Sequence, residues 1–580
     1  MVNLKINNIP VSVPEGTTIL EAARSIGIRI PTLCYMKEIN EIGACRICVV
    51  EVKGARSMVT ACVYPVSEGM EVTTNSPKVI QARKTTLELI LSTHKKDCLS
   101  CVRNLNCELQ ALSKEYGCDI NNYLGEKCSY EKDTSTQYLV RDNEKCVLCR
   151  RCIAVCKNVQ ECGVIGANER GFATHIDTAF DQDLTNSPCA ACGQCINVCP
   201  TGALHEAEEI DQVKAAINNP NKVVVVAPAP AVRVALGEEF GMPIGTNVEG
   251  QMVTALRLIG CDKVFDVNFG ADMTIVEEAT ELLNRIKNGG KLPMITSCSP
   301  GWVRYLEYYY PELTDNLSTC KSPHQMLGAL TKTYYAEKMG INPADIYMVS
   351  IMPCVAKKTE KVRPHMDGAG YPDVDAVLTT RELAKLIKEN GIMFDKLPKG
   401  EYDSPMGEFT GAGVIFGATG GVMEAALRTA VYYLTGEKPA NPEFTDVRGM
   451  EGIKEATYDV GGVKVKVAVA SGLKNAKVIC EKIKNGTADY QFVEIMCCPG
   501  GCVNGGGQPI VSNDVKMSVD YKALRANALY TQDEKATLRC SHENPFVQDV
   551  YKNYLGEVGG EKAHHLLHTV YFKRKKYPTL

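Results

Sequence analysis

Cys498 and Cys502 stand four residues apart in the stretch Glu494-Ile-Met-Cys-Cys-Pro-Gly-Gly-Cys-Val-Asn-Gly-Gly-Gly-Gln-Pro509. Paired thiolates favour soft metals and iron–sulfur clusters. Gly500, Gly501, Gly505, Gly506 and Gly507 let the backbone take positive φ and approach a bulky inorganic ligand. A disulfide or a plain glycine-rich turn competes with this reading. The chain's cysteine usage, 27 in all, argues against both. The start, Met-Val-Asn-Leu-Lys-Ile, lacks the basic and apolar regions of a signal peptide, and no apolar run is long enough to span a bilayer. A cytoplasmic protein whose cysteines serve as ligands is expected.

Four further sets carry ligand spacing. Cys34, Cys45, Cys48 and Cys62 place a tight pair between flanking cysteines, which suits a two-iron [2Fe–2S] centre, with structural zinc as the alternative. His94-x3-Cys98-x2-Cys101-x5-Cys107 offers one imidazole and three thiolates, equally suited to zinc or a [4Fe–4S] centre. Two runs follow: Cys146-x2-Cys149-x2-Cys152-x3-Cys156 and Cys189-x2-Cys192-x2-Cys195-x3-Cys199-Pro200. In such modules the fourth cysteine of each run serves the other cluster. Cys146, Cys149, Cys152 and Cys199 are thus expected to hold one [4Fe–4S] centre, and Cys189, Cys192, Cys195 and Cys156 the second. Redox centres strung along the first 200 residues form a wire, and a wire needs a terminus. Cys118, Cys128, Cys162, Cys261, Cys320, Cys480, Cys497 and Cys540 lack partners at ligand spacing, Cys497 being notable as the neighbour of a candidate ligand.

The elements that must position these groups read as a multidomain α/β and α+β chain. At 580 residues it exceeds one domain, and its net charge of −4 gives no basis for nucleic-acid or membrane-surface binding. A hairpin is expected around Asn7-Asn8, a helix over 19–26 capped by Thr17 or Thr18, and another over 80–93. From about residue 210 strand and helix patterns alternate. Strands are expected at 223–227, 263–266, 294–296, 347–352 and 467–470, and helices at 253–258, 272–287 and from about Val422. Cys298, Cys354 and Cys498 each follow an apolar run, where open α/β sheets present ligands. Glu278, Glu281 and Arg285 share one helix face, ordinarily a solvated one. The basic tail at 573–576 reads as a solvated end.

Thr296-Ser-Cys-Ser-Pro-Gly-Trp302, Met352-Pro-Cys-Val-Ala-Lys-Lys-Thr-Glu360 and Glu494–Pro509 resemble the three signature motifs of [FeFe]-hydrogenases, and the cluster-bearing N-terminal half resembles the modular clostridial type. The resemblance implies reversible H2 oxidation and proton reduction at an H-cluster. This is a [4Fe–4S] cube joined through one cysteine sulfur to a two-iron unit bearing CO, CN⁻ and a bridging dithiolate amine. It also implies four parts: a ferredoxin-like [2Fe–2S] domain at 1–78, a [4Fe–4S] domain with one histidine and three cysteine ligands at 79–118, a two-[4Fe–4S] ferredoxin-like domain at 136–209 and a two-lobed α/β H-cluster domain at 210–580. By motif, Cys354 and Cys498 bind the cube and Cys502 bridges it to the two-iron unit. Met352, Met496, Ala229 and Pro230 line the pocket, and Lys357 donates to a cyanide. Glu278, Ser318 and Glu281 match a proton relay. Ala231 and His324 stand where relatives often carry serine and glutamine. The family's first motif usually reads Thr-Ser-Cys-Cys-Pro, its first cysteine passing protons and its second binding the cube; here that second position is Ser299. Ser299 ligates through oxygen, or Cys298 ligates instead, or the cube keeps an open corner. The expectation is that Cys298 ligates and Ser299 starts the proton path.

The partners implied are H2 and protons, ferredoxin or NAD-linked flavoprotein subunits, and maturation factors. No dinucleotide fingerprint is present, so NAD chemistry would lie on a partner. The Cys298-Ser299 pair and the cluster layout favour the catalytic subunit of an electron-bifurcating complex over a stand-alone ferredoxin-linked enzyme. The competing classes are an electron-transfer subunit like that of respiratory complex I, which lacks the 494–509 motif, and a non-catalytic hydrogen sensor or assembly factor.

Overall fold

The computed structural model of the chain describes residues 1–450, 452–460 and 462–577. The expected hairpin pairs Val2–Ile6 with Ile9–Val13, and Asn7 and Asn8 supply the turn at φ 49° and 66°. Asparagine tolerates that region, and the doubly left-handed turn matches strand twist. Thr18, not Thr17, caps the helix Ile19–Ser25, its hydroxyl accepting from the Glu21 N–H. Three more strands complete a five-stranded sheet, Val49–Val52, Val59–Thr60 and Glu71–Thr73. The next helix, Pro77–Thr93, starts ahead of the expected 80 because Ser76 caps it and Pro77 suits its first turn.

The C-terminal half contains two four-stranded sheets. The first runs Lys263–Val264, Val223–Pro228, Ile346–Met352, Ala376–Thr379, all parallel. Helices cover it, which explains the unbroken β-branched run at 223–226. The second runs Met294–Ile295, Phe492–Met496, Val463–Ser471, Ile453–Val460, parallel except for the last. The strand expected over 263–266 stops at Val264 because Asp266 caps the following helix, accepting from the Asn268 N–H at 2.9 Å. That helix spans Val267–Asn288 and so begins five residues before the expected 272. Every residue from Val267 to Ala279 is buried, so its first turns show no polar face for periodicity to register. No helix among the described residues is long and apolar enough to cross a membrane. The basic tail is not simply solvated: Arg574 pairs with buried Glu307 at 2.7 Å.

Candidate functional site: a thiol-lined chamber at the strand ends

Four parallel strands end around one chamber of about 780 Å³, the space at its mouth included. Ile346–Met352 leads to Cys354, Phe492–Met496 to Cys497 and Cys498, Met294–Ile295 to Cys298 and Ser299, and Val223–Pro228 to Ala229 and Pro230. All of these line it, together with Met352, Met496, Lys357 and Cys502. The C-terminal ends of parallel strands leave main-chain groups and loops free to build a site.

The glycines do two jobs. Gly500 and Gly501, at φ 88° and 91°, turn the chain between Cys498 and Cys502. Gly505 and Gly506 are demanded by the protein itself. A Cβ on Gly505 would lie 2.1 Å from the Pro353 carbonyl oxygen, and one on Gly506 2.5 Å from that of Cys192. The segment is clamped between a catalytic strand end and the two-cluster module.

Lys357 donates to Glu360 and Ser322, each at 2.7 Å, and to the Cys298 carbonyl at 3.1 Å. His324 meets the same Glu360 oxygen at 2.7 Å. Burial and the nearby Lys357 ammonium push His324 down to about 4, so its ring is neutral. Burial opposes ionisation of Glu360, yet Lys357 and His324 hold its carboxyl down to about 2.

From the chamber wall a polar chain leads outward. Burial pushes the Cys298 thiol well up, and the Glu278 carboxylate raises it further. Burial lifts Glu278 to about 8 against a hydrogen bond from Ser318, with the charges of Glu281 and Glu494 adding to the rise. Ser318 donates to Glu281 at 3.1 Å, and Arg285 pairs with Glu281 at 2.6 Å. The helix face is therefore mostly interior where such a face is ordinarily solvated, with Glu278 only 2% exposed. Cys298 packs against the core that holds Met496 and Phe416 and also lines the chamber. Sequence reasoning missed Thr319, Cys320 and His568, which surround Glu281. The Thr319 hydroxyl donates to Glu281 at 3.2 Å and meets His568 Nδ1 at 2.7 Å, and Cys320 Sγ lies 3.8 Å from Glu281. His568 is remote in sequence, and nothing in local spacing signals it.

Three of the four accessory sets come together. The thiols of Cys34 and Cys45 hydrogen-bond to each other, as do those of Cys48 and Cys62, the two-plus-two arrangement a two-iron centre takes. His94 is buried with no hydrogen-bond partner at Nδ1, an orphan that a metal would satisfy. Cys101 Sγ sits where a Cβ on Gly202 would lie, at 2.7 Å. Cys146, Cys149, Cys152 and Cys199 line one cavity, and Cys156, Cys189, Cys192 and Cys195 another. The two runs fold alike: Leu148 and Ala191 take φ 53° and 58°, Arg150 and Gly193 61° and 70°. Main-chain N–H groups of Leu148, Val164 and Ala191 donate to Cys146, Cys156 and Cys189 at 3.4 Å. Burial raises Cys146, Cys156 and Cys502 to about 12 and Cys354 further. Such thiols ionise when iron supplies the compensating charge, so the residues fit iron–sulfur groups.

Known families match along the chain. A 2Fe-2S iron-sulfur cluster binding domain matches residues 1–77, the NADH-ubiquinone oxidoreductase-G iron-sulfur binding region 83–121, and the ferredoxin-like domain of NADH-quinone oxidoreductase subunit 3 residues 137–205. The C-terminal domain of the iron only hydrogenase large subunit matches 222–506, and the iron hydrogenase small subunit matches 519–574. NADP-reducing hydrogenase subunit HndD of Solidesulfovibrio fructosivorans is 47% identical over 99% of this chain and 100% of its own length. Iron hydrogenase 1 of Clostridium pasteurianum is 45% identical, with the same coverage of each. The solved structure of an apo [FeFe]-hydrogenase HydA1 variant from Chlamydomonas reinhardtii covers 63% of this chain and 98% of its own at 45% identity, with a TM-score of 0.56. With three cysteine-bearing strand ends meeting in one chamber and relatives of this identity over the full length, the chain belongs to the iron-only, or [FeFe], hydrogenase family.

Proposed function

We propose that this hydrogenase is the H2-activating subunit of a multi-subunit, NAD(P)- or ferredoxin-linked, electron-bifurcating complex. The related HndD is named as a subunit of an NADP-reducing hydrogenase. Flavoprotein partners would supply the nucleotide site and maturation factors the two-iron unit. Co-purification with a flavoprotein supports this reading; a chain that isolates alone and turns over with ferredoxin supports the stand-alone alternative. We place the protein in the cytoplasm, on the strength of its many thiols at ligand spacing.

We assign one [2Fe–2S] centre to residues 1–78, one [4Fe–4S] centre to the His94 set in 79–118, two to 136–209, and the H-cluster to 210–580. When bound, the H-cluster supplies the metal site at which protons and electrons combine into H2 or H2 is cleaved. Cys354, Cys498 and Cys502 would hold the cluster. Met352, Met496, Ala229 and Pro230 keep water from the chamber with apolar surface. Lys357, its ammonium fixed by Glu360 and Ser322, presents the remaining positive charge to anionic ligands. Cys298 exchanges a proton with Glu278, which exchanges it through Ser318 with Glu281 at the Arg285 end. Electrons enter beside Cys192, whose carbonyl lies 3.9 Å from Cys498 Sγ.

The observation that carries this reading is the convergence of Cys354, Cys498 and Cys502 on one chamber. Infrared spectra of matured protein test it. Bands from CO and CN⁻ are expected, and their absence would exclude the enzyme.

A further inference from the structure

A cube needs four ligands and iron prefers sulfur. Two strand-end loops bring Cys354, Cys498 and Cys502 to the chamber, and a third brings Cys298 and Ser299. Cys298 is committed elsewhere. It lies against the core that holds Met496 and Phe416, near the Glu278 carboxyl with which it is assigned to exchange a proton. The Ser299 hydroxyl already accepts the main-chain N–H of Cys497 at 3.2 Å, and a hydroxyl is the harder, poorer donor to iron.

That hydrogen bond puts Cys497 against the position that lacks a thiol. Cys497 is 4% exposed and lines the same chamber. The strand Phe492–Met496 stops one residue before it. Cys497 therefore keeps the strand's other face, packing with Trp302, while its thiol still meets that of Cys498 in a hydrogen bond. The first loop makes room for the sulfur: a Cβ on Gly301, two residues after Ser299, would lie 2.7 Å from Cys497 Sγ. Cys497 also touches the Cys192 thiol, but the neighbouring accessory set is complete without it, since Cys156, Cys189, Cys192 and Cys195 line their own cavity.

We propose that Cys497 is the fourth ligand of the cube, taking the place that Ser299 leaves empty of sulfur. The inference rests on the H-cluster reading above. Binding is deprotonation and coordination: the thiol gives its proton to solvent, its sulfur bonds iron, and no electron is transferred. It leaves Cys298 free for proton transfer. It also sets a cube ligand in contact with Cys192, a ligand of the nearest accessory centre.

The test uses the full chain produced without maturation factors, so that it carries iron–sulfur centres but no two-iron unit. Iron content and electron paramagnetic resonance of the oxidised protein are the readouts, because intact oxidised cubes are silent and a cube that has lost an iron is not. C354A shows what losing a cube ligand looks like. C497A should match it, losing iron or gaining a three-iron signal, while S299A and C298A should keep the parental iron and stay silent. Adding S299C to C497A should restore the cube, which separates loss of a ligand from loss of fold. A C497A protein with parental iron and no new signal would overturn the proposal, as would loss of the cube in S299A or C298A. If C354A itself changes nothing, the H-cluster reading fails instead.

Discussion

Burial lifts the Glu278 carboxyl to about 8 from its ordinary value of 4.5, so at neutral pH it is a proton-bearing acid. Its folded value lies above its unfolded one. The stability it contributes is therefore complete below about pH 4.5 and is lost as pH rises through about 8. H2 production should decline across the same upper limb as the relay acid ionises. Glu278→Gln keeps the shape but not the exchangeable acid. Turnover should fall by roughly 10²–10⁴-fold, with iron content and infrared bands unchanged and that limb gone from the residual pH profile. At Lys357 the cost is structural as well. Lys357→Met leaves the Glu360 carboxylate buried with only the Ser322 hydroxyl and His324 beside it, and breaking such a pair costs about 3 kcal/mol. Denaturant melts should show that loss, and K357M/E360Q should recover much of it.

At the scale of elements, what matters is where strands stop. The 494–509 loop reaches the chamber because Gly505 lies flat against the end of Ile346–Met352. Gly505→Ala would drive a methyl to 2.1 Å from the Pro353 oxygen, forcing the backbone apart. We expect a loss of about 1–3 kcal/mol in thermal melts, with less iron retained in the chamber. Glycine spacing was legible in the sequence, and so was the chemistry of Cys498 and Cys502. That two of the glycines answer to protein contacts and not to the cofactor was not legible, because Pro353 and Cys192 are distant along the chain. Likewise the helix carrying Glu278 was found by its polar second half, while its buried first turns gave no periodic signal.

At the scale of the whole molecule, the accessory module and the catalytic half are interlocked. Asn197 and Gln194 bind the carbonyls of Gly505 and Asn504, and Arg381 binds Glu206 and the Gly506 carbonyl. Cys192 sits at that seam. Cys192→Ala should disable the nearest accessory centre while leaving the proton relay in place. Dye-linked H2 oxidation should fall while H2/D2O exchange persists, and loss of both together would mean that the chamber itself had opened.

The linear chain determined which chemistry was available. Short cysteine spacings are local, and a run such as Cys-x2-Cys-x2-Cys-x3-Cys names its cofactor class before folding. Alternating strand and helix patterns likewise announced the α/β half. Only the tertiary structure decided which thiols meet and which groups lie dry. Glu281 acquired Thr319, Cys320 and His568 as neighbours, Glu278 lost its solvent, and Cys497 came to rest against Ser299. Contacts between residues hundreds of positions apart depend on how two sheets pack, and burial, which sets the acidity of each group, exists only once they have.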